Sequence, residues 1–139
     1  MARSRWKTEQ DGVTYRSGFE AKVAKKLKDN KVKFEYETEK LKYAVPESYH
    51  TYTPDFILPN GIMVEAKGRF TPADRKKMSL VIEQNPDKDI RLIFMMDNTL
   101  SRASKTTYSA WCKKRDIKCH VARDGSIPKE WMKTNKEKI

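Results

Sequence analysis

Nothing in this chain of 139 residues is built to cross a membrane. Its longest apolar run, Leu92-Ile93-Phe94-Met95-Met96, is far short of the roughly 20 residues that span a bilayer. The start, Met1-Ala2-Arg3-Ser4-Arg5-Trp6-Lys7, is basic but lacks the apolar stretch of a secretory leader, which points to a cytoplasmic protein. Cysteine is scarce. Cys112 and Cys119 are the only two, and in an intracellular setting two reduced thiols are expected in place of a disulfide. Cys119-His120 beside Cys112 lacks the four-ligand spacing of a zinc site. No internal repeat and no separating linker is present, so the chain reads as one domain, long enough to bury a core. Acid is also in short supply: Lys and Arg outnumber Asp and Glu 30 to 19, a net charge of +11 with pI near 9.6. That balance suits a polyanionic partner whose phosphates supply the affinity. A basic pI alone also fits a ribosomal or membrane-surface protein, and any single lysine is most simply a solvated residue.

The apolar pattern predicts a mixed α/β order. After a basic, mobile start over 1–14 comes a helix over 17–28, with Phe19, Val23 and Leu27 on one face. Extended segments follow at 32–37 and 41–45, and Pro46-Glu47-Ser48-Tyr49 interrupts the strand pattern. Two strands, 51–58 and 62–67, flank the turn residues Pro59-Asn60-Gly61. Thr71-Pro72-Ala73-Asp74 starts a helix, with proline at its first position, that runs to Gln84 and stops before Pro86. A buried strand over 90–96, a helix over 106–115, a short strand over 118–121 and a helical turn over 127–132 complete the domain, 15–132. A short polar tail, 133–139, remains. The hairpin is expected inside a central sheet flanked by helices.

Pro54-Asp55 and Glu65-Ala66-Lys67, on either side of that turn, carry the chemistry. A three-residue loop, a type I turn centred on Pro59 and Asn60 with Gly61 left-handed, sets Leu58 opposite Ile62, Phe56 opposite Val64, and Asp55 opposite Glu65. Facing side chains lie roughly 5 Å apart at Cβ, so one cation can bridge the two carboxylates. Lys67 projects from the same face. A two-residue Asn60-Gly61 loop would instead turn Glu65 away. Two carboxylates holding a hard divalent cation, with a lysine beside them, are what metal-assisted phosphodiester hydrolysis requires. The plainer reading makes them exposed strand charges in a salt bridge. Against it, Asp55 interrupts an apolar run, Phe56-Ile57-Leu58, and burying like charges side by side is costly without a cation. Glu20 has two readings: an active-site carboxylate at the edge of the helix's apolar stripe, or the capping-box partner of Ser17. Spacing alone does not choose between them.

The sequence resembles the phage endonuclease I family, the four-way-junction resolvases of the T-seven-like phages, within the P-D…E-x-K nuclease superfamily. The likeness runs from about Tyr15 to Trp131. It rests on Arg16-Ser17-Gly18 before Glu20, on Phe34-Glu35-Tyr36-Glu37, on His50-Thr51-Tyr52-Thr53-Pro54-Asp55-Phe56, and on Leu58-Pro59-Asn60-Gly61-Ile62. Val64-Glu65 with Lys67-Gly68, Asp74-Arg75-Lys76-Lys77, and Ile127-Pro128 before Glu130-Trp131 extend it. The resemblance implies an active site of Glu20, Asp55, Glu65 and Lys67, with a metal held by Asp55, Glu65 and the Ala66 backbone carbonyl, and Glu20 serving a second metal. Magnesium is the implied cofactor, with manganese able to substitute, and no small-molecule cofactor is expected. It further implies a restriction-endonuclease-like core and an intertwined homodimer. The region of 46–49 would then bridge two chains, with Glu20 from one and Asp55, Glu65 and Lys67 from the other. Branched double-stranded DNA is the implied partner, and Arg3, Arg5, Lys7, Arg16, Arg69, Arg75, Lys76 and Lys77 are its expected contacts.

The function expected on these grounds is a magnesium-dependent endodeoxyribonuclease that resolves four-way junctions by paired nicks, in the host cytoplasm if phage-encoded. The alternatives are a nuclease of the same superfamily with another DNA target, restriction or mismatch repair, and a non-catalytic DNA-binding module.

Overall fold

The computed structural model describes residues 7–45 and 48–134. Its elements in chain order are β1 (Thr8–Gln10), β2 (Val13–Tyr15), α1 (Gly18–Asp29), β3 (Glu35–Tyr36), β4 (Leu41–Val45), β5 (Ser48–Tyr52) and β6 (Phe56–Ile57). They continue with β7 (Met63–Lys67), α2 (Pro72–Gln84), β8 (Ile90–Phe94), α3 (Tyr108–Lys114), β9 (Cys119–Val121) and α4 (Lys129–Met132). A five-stranded mixed sheet, in the order β3-β6-β7-β8-β9, occupies the centre. β3, β6 and β7 run antiparallel to one another, whereas β7, β8 and β9 are parallel. The expected central mixed sheet flanked by helices is what forms.

Helix starts follow local chemistry. Ser17 caps α1 by accepting from the Glu20 N–H, and Thr71 caps α2 in a reciprocal box with Asp74 at 3.1 and 3.0 Å. α1 lays Phe19, Val23 and Leu27 on one sheet face against Phe56, Val64, Ala66 and Ile93. The other face receives Met78 and Val81 of α2 and Tyr108 and Trp111 of α3, packed on Met63, Leu92 and Phe94. Side chains of β7 alternate between these two cores.

The β6–β7 turn takes the expected register. Phe56 pairs with Val64, the Leu58 N–H donates to the Ile62 carbonyl at 2.8 Å, and Gly61 has φ +90°, a conformation glycine adopts without steric cost. Asn60 secures the turn: its Oδ1 accepts from the Ile62 N–H, and its Nδ2 donates to the carbonyls of Trp131 and Lys133.

Three expectations change. The strand expected over 51–58 is two strands in different sheets. β5 ends at Tyr52 and pairs with β4 in a two-stranded sheet, in register from Leu41 opposite Tyr52 to Val45 opposite Ser48. Pro54 explains the break, since it lacks the N–H that a strand interior needs. The 32–37 segment contributes only two strand residues. No element is expected before Ser17, yet β1 and β2 form an antiparallel hairpin there. Arg3 and Arg5, the bridge residues 46 and 47, and the tail from 135 lie outside the described residues.

Candidate active site

β6 stops where the active-site expectation begins. Hydrogen-bonded pairs fall at Leu58–Ile62 and Phe56–Val64, so the next would join Pro54 and Ala66, and Pro54 has no proton to give. The Asp55 carboxylate fills the gap by accepting from the Ala66 N–H at 2.9 Å. On the other side, the Glu37 N–H donates to the Asp55 carbonyl at 3.2 Å, extending the β3–β6 register. Glu37, Asp55 and Glu65 thus form a row across three neighbouring strands.

Glu20 approaches that row from α1. Its carboxylate accepts from the Tyr36 hydroxyl at 2.5 Å, and the same hydroxyl accepts from the Arg16 N–H at 3.1 Å. Ser17 accepts from the Glu20 backbone N–H, while the Glu20 carboxylate turns to Tyr36 instead of closing a capping box with Ser17. Glu37 holds φ +53°, a left-handed backbone that costs a non-glycine residue roughly 1–2 kcal/mol, and its Oε2 meets the Arg16 Nε at 2.6 Å. Glu20, Glu37 and Asp55 offer carboxylate oxygens that all lie within 4.8 Å of one another. This is an acidic cluster able to hold a metal ion. Glu37 is not among the expected site residues, although it stands in the Phe34-Glu35-Tyr36-Glu37 word. What brings it to the cluster is the backbone turn after β3.

Glu65 is held from the opposite side. Its Oε1 accepts from the Tyr52 hydroxyl at 2.6 Å, and its Oε2 lies 3.5 Å from the Lys67 ammonium. Lys67 also reaches Asp74 at 3.3 Å, so the residue that closes the α2 capping box fixes the lysine as well. Lys77 sits 5.5 Å above the Tyr52 ring, a cation–π distance. Glu20, Asp55, Glu65 and Lys67 line one cleft of about 410 Å³ together with Ala66, Glu37, Tyr52, Arg16 and Lys77.

The electrostatics follow from burial. Asp55, Glu20 and Glu65 are 6, 7 and 8% exposed. Burial pushes the Asp55 carboxyl well above its ordinary range, and the charges of Glu65 and Glu20 push it further. Burial raises Glu20 too, with the Tyr36 bond opposing and Glu65 adding. Glu65 is raised by burial against the pull of Lys67 and Tyr52. Burial opposes the Lys67 charge, but Glu65 and Asp74 outweigh it and leave the ammonium above its usual value. A buried acidic cluster of this kind favours either protons or a cation.

Of the basic residues expected to meet DNA, Arg16 and Lys77 line the cleft. Lys7, Arg69 and Lys76 are exposed. Arg75 is turned inward, donating to the Phe70 carbonyl at 2.7 Å, which occupies part of its guanidinium with α2 packing.

The family model described as phage endonuclease I matches residues 1–139. Endonuclease I of Escherichia phage T7 is 48% identical over 126 residues, covering 90% of this chain and 83% of its own length. Endodeoxyribonuclease 1 of Enterobacteria phage T3 is 44% identical over 129 residues, covering 92% of this chain and 83% of its own length.

Proposed function

The chain belongs to the phage endonuclease I family, and from that premise we propose that it is a metal-dependent endodeoxyribonuclease that resolves four-way DNA junctions. One observation carries the reading: Glu20, Asp55, Glu65 and Lys67 line a single cleft whose cationic rim is Arg16 and Lys77.

The donor set fits a hard divalent cation. It consists of oxygens alone, from buried carboxylates that repel one another, which suits magnesium or manganese and not a soft metal. Asp55, Glu65 and the Ala66 carbonyl would hold one ion, and Glu20 with Asp55 a second, Glu37 standing within reach of both side chains. A bound ion supplies a Lewis acid for the phosphate and a water of lowered pKa. The remaining work belongs to the chain. Arg16, about half-exposed, can take a strand phosphate in bidentate fashion. Lys67, restrained by Glu65 and Asp74, presents fixed positive charge where negative charge develops on the phosphorus oxygens. The Ala66 N–H keeps Asp55 pointed into the cleft.

Junction selectivity, paired nicks and a homodimer are supported by the resemblance of the motifs, and DNA as the partner by the +11 charge. In a dimer exchanged across the 46–49 region, Glu20 of one chain would meet Asp55, Glu65 and Lys67 of the other.

The test is incubation of the protein and its Asp55→Asn variant with a synthetic four-way junction and a matched linear duplex, in magnesium or in chelator. Wild type should nick the junction only in magnesium, and Asp55→Asn should bind it without cutting. Wild-type turnover by Asp55→Asn would sink the site assignment. Equal cutting of the linear duplex would remove the junction selectivity, and cutting in chelator the metal.

A further inference from the structure

Each buried carboxylate of the cleft has one neutral donor. Asp55 is held by a backbone N–H, Glu20 by the phenol of Tyr36 and Glu65 by the phenol of Tyr52. We propose that Tyr36 and Tyr52 are positioning residues, whose hydroxyls fix Glu20 and Glu65 in the orientation that receives the cation. The inference rests on the cation-dependent reading above.

Three observations carry it. Both bonds join elements distant in sequence, 16 and 13 residues apart, so neither is an accident of local geometry. Both are short, at 2.5 and 2.6 Å, as expected for a hydroxyl donating to a carboxylate. A buried phenol could be satisfied by any carbonyl, yet both of these are spent on cleft carboxylates. Tyr52 is 2% exposed, and the Tyr36 hydroxyl is itself oriented by the Arg16 N–H. The chemistry of the donor matters as much as its place. A phenol gives one proton and no charge, so it restrains one carboxylate oxygen without competing electrostatically with the ion. An arginine in the same place would compete, as Arg16 does for Glu37. Partners beyond the ligands hold ligand side chains in register, and their loss typically lowers metal affinity or activity about 10–100-fold.

The experiment uses the full chain, stripped of metal, as wild type, Tyr36→Phe, Tyr52→Phe, Asp55→Asn and Tyr43→Phe. The last removes a phenol from β4, where the ring stacks on His50. Manganese binding is measured by calorimetry, and junction nicking is followed across magnesium concentration. Tyr36→Phe and Tyr52→Phe should each weaken manganese binding about tenfold or more and should recover most of their nicking rate at high magnesium. Tyr43→Phe should match wild type in both. Wild-type manganese affinity in both Phe variants, with circular dichroism unchanged, overturns the proposal. Tyr36 is less buried than Tyr52, so Tyr36→Phe keeps the test open if Tyr52→Phe loses its fold. If wild type shows no manganese binding that Asp55→Asn removes, the cation reading itself fails, and the positioning role with it.

Discussion

At neutral pH and without a cation, Asp55 is buried beside Glu65 and Glu20, and all three hold protons more tightly than exposed carboxyls do. The sign of the consequence follows by linkage. A carboxyl whose folded affinity for protons is raised contributes stability below its unfolded pKa, near 4, and loses it as pH rises through the folded value. The metal-free protein should therefore lose stability through these groups as pH rises above about 4. Asp55→Asn removes the most strongly perturbed charge while keeping an oxygen for the Ala66 N–H. In chelator at pH 7 this variant should therefore be more stable than wild type, because it no longer carries a buried carboxyl that resists ionisation. Magnesium should then raise the melting temperature of wild type and not of the variant, because only the former keeps the ligand charge. Thermal melts in the two buffers measure both effects. A variant no more stable than wild type in chelator would show that the carboxylate cluster is not under electrostatic strain.

Elements, not single residues, set where these side chains stand. The β6–β7 hairpin carries Asp55 at one end and the Pro59-Asn60-Gly61 turn at the other, and Asn60 ties that turn to α4 through the Trp131 and Lys133 carbonyls. Trp131 in turn lies 5.2 Å from the Arg91 guanidinium, which is paired with Asp89 at 2.8 Å. Asn60→Ala deletes three hydrogen bonds and should cost on the order of 1–3 kcal/mol. Nicking per folded molecule should not change, because the loss falls at the end of the hairpin away from the carboxylates. Urea denaturation beside a nicking assay separates the two quantities, and a fall in nicking at unchanged stability would mean that the turn communicates with the cleft. The α2 start works differently. Asp74 closes its capping box and also contacts Lys67, so helix capping and lysine placement share one side chain.

At the scale of the whole molecule, a single chain brings Glu20 to Asp55, and two chains that exchanged segments across the 46–49 region would rebuild the same contacts between subunits. A two-fold dimer gives two sites for two strands. Co-expressing inactive Glu20→Gln and Asp55→Asn chains distinguishes the arrangements. With sites shared between chains, a heterodimer carries one intact site and one doubly altered site, and should nick junctions without completing paired cuts. Gel analysis of both strands reads this directly. Heterodimers shown to form but unable to nick would mean that each site is built within one chain.

The sequence by itself determined what depends on neighbours along the chain. Ser17 and Thr71 marked helix starts because caps act over three residues, and the Pro59-Asn60-Gly61 turn set the β6–β7 register because loop length and a left-handed glycine leave one pairing. Asp55 opposite Glu65 followed from that register. Tertiary structure decided what depends on contacts distant in sequence. The pattern over 51–58 suggested one strand, but β5 went to β4 while β6 went to the central sheet. Nothing along the chain marks Glu37 as a site residue; the left-handed turn after β3 carries it to Glu20 and Asp55. Tyr36 and Tyr52 carry no mark of their partners in the sequence, since a phenol's partner is chosen only when folding brings a carboxylate within reach of its proton. Burial did the rest, turning four ordinary titratable residues into a coupled cluster, because the energy of a charge depends on the water and the charges that the fold leaves around it.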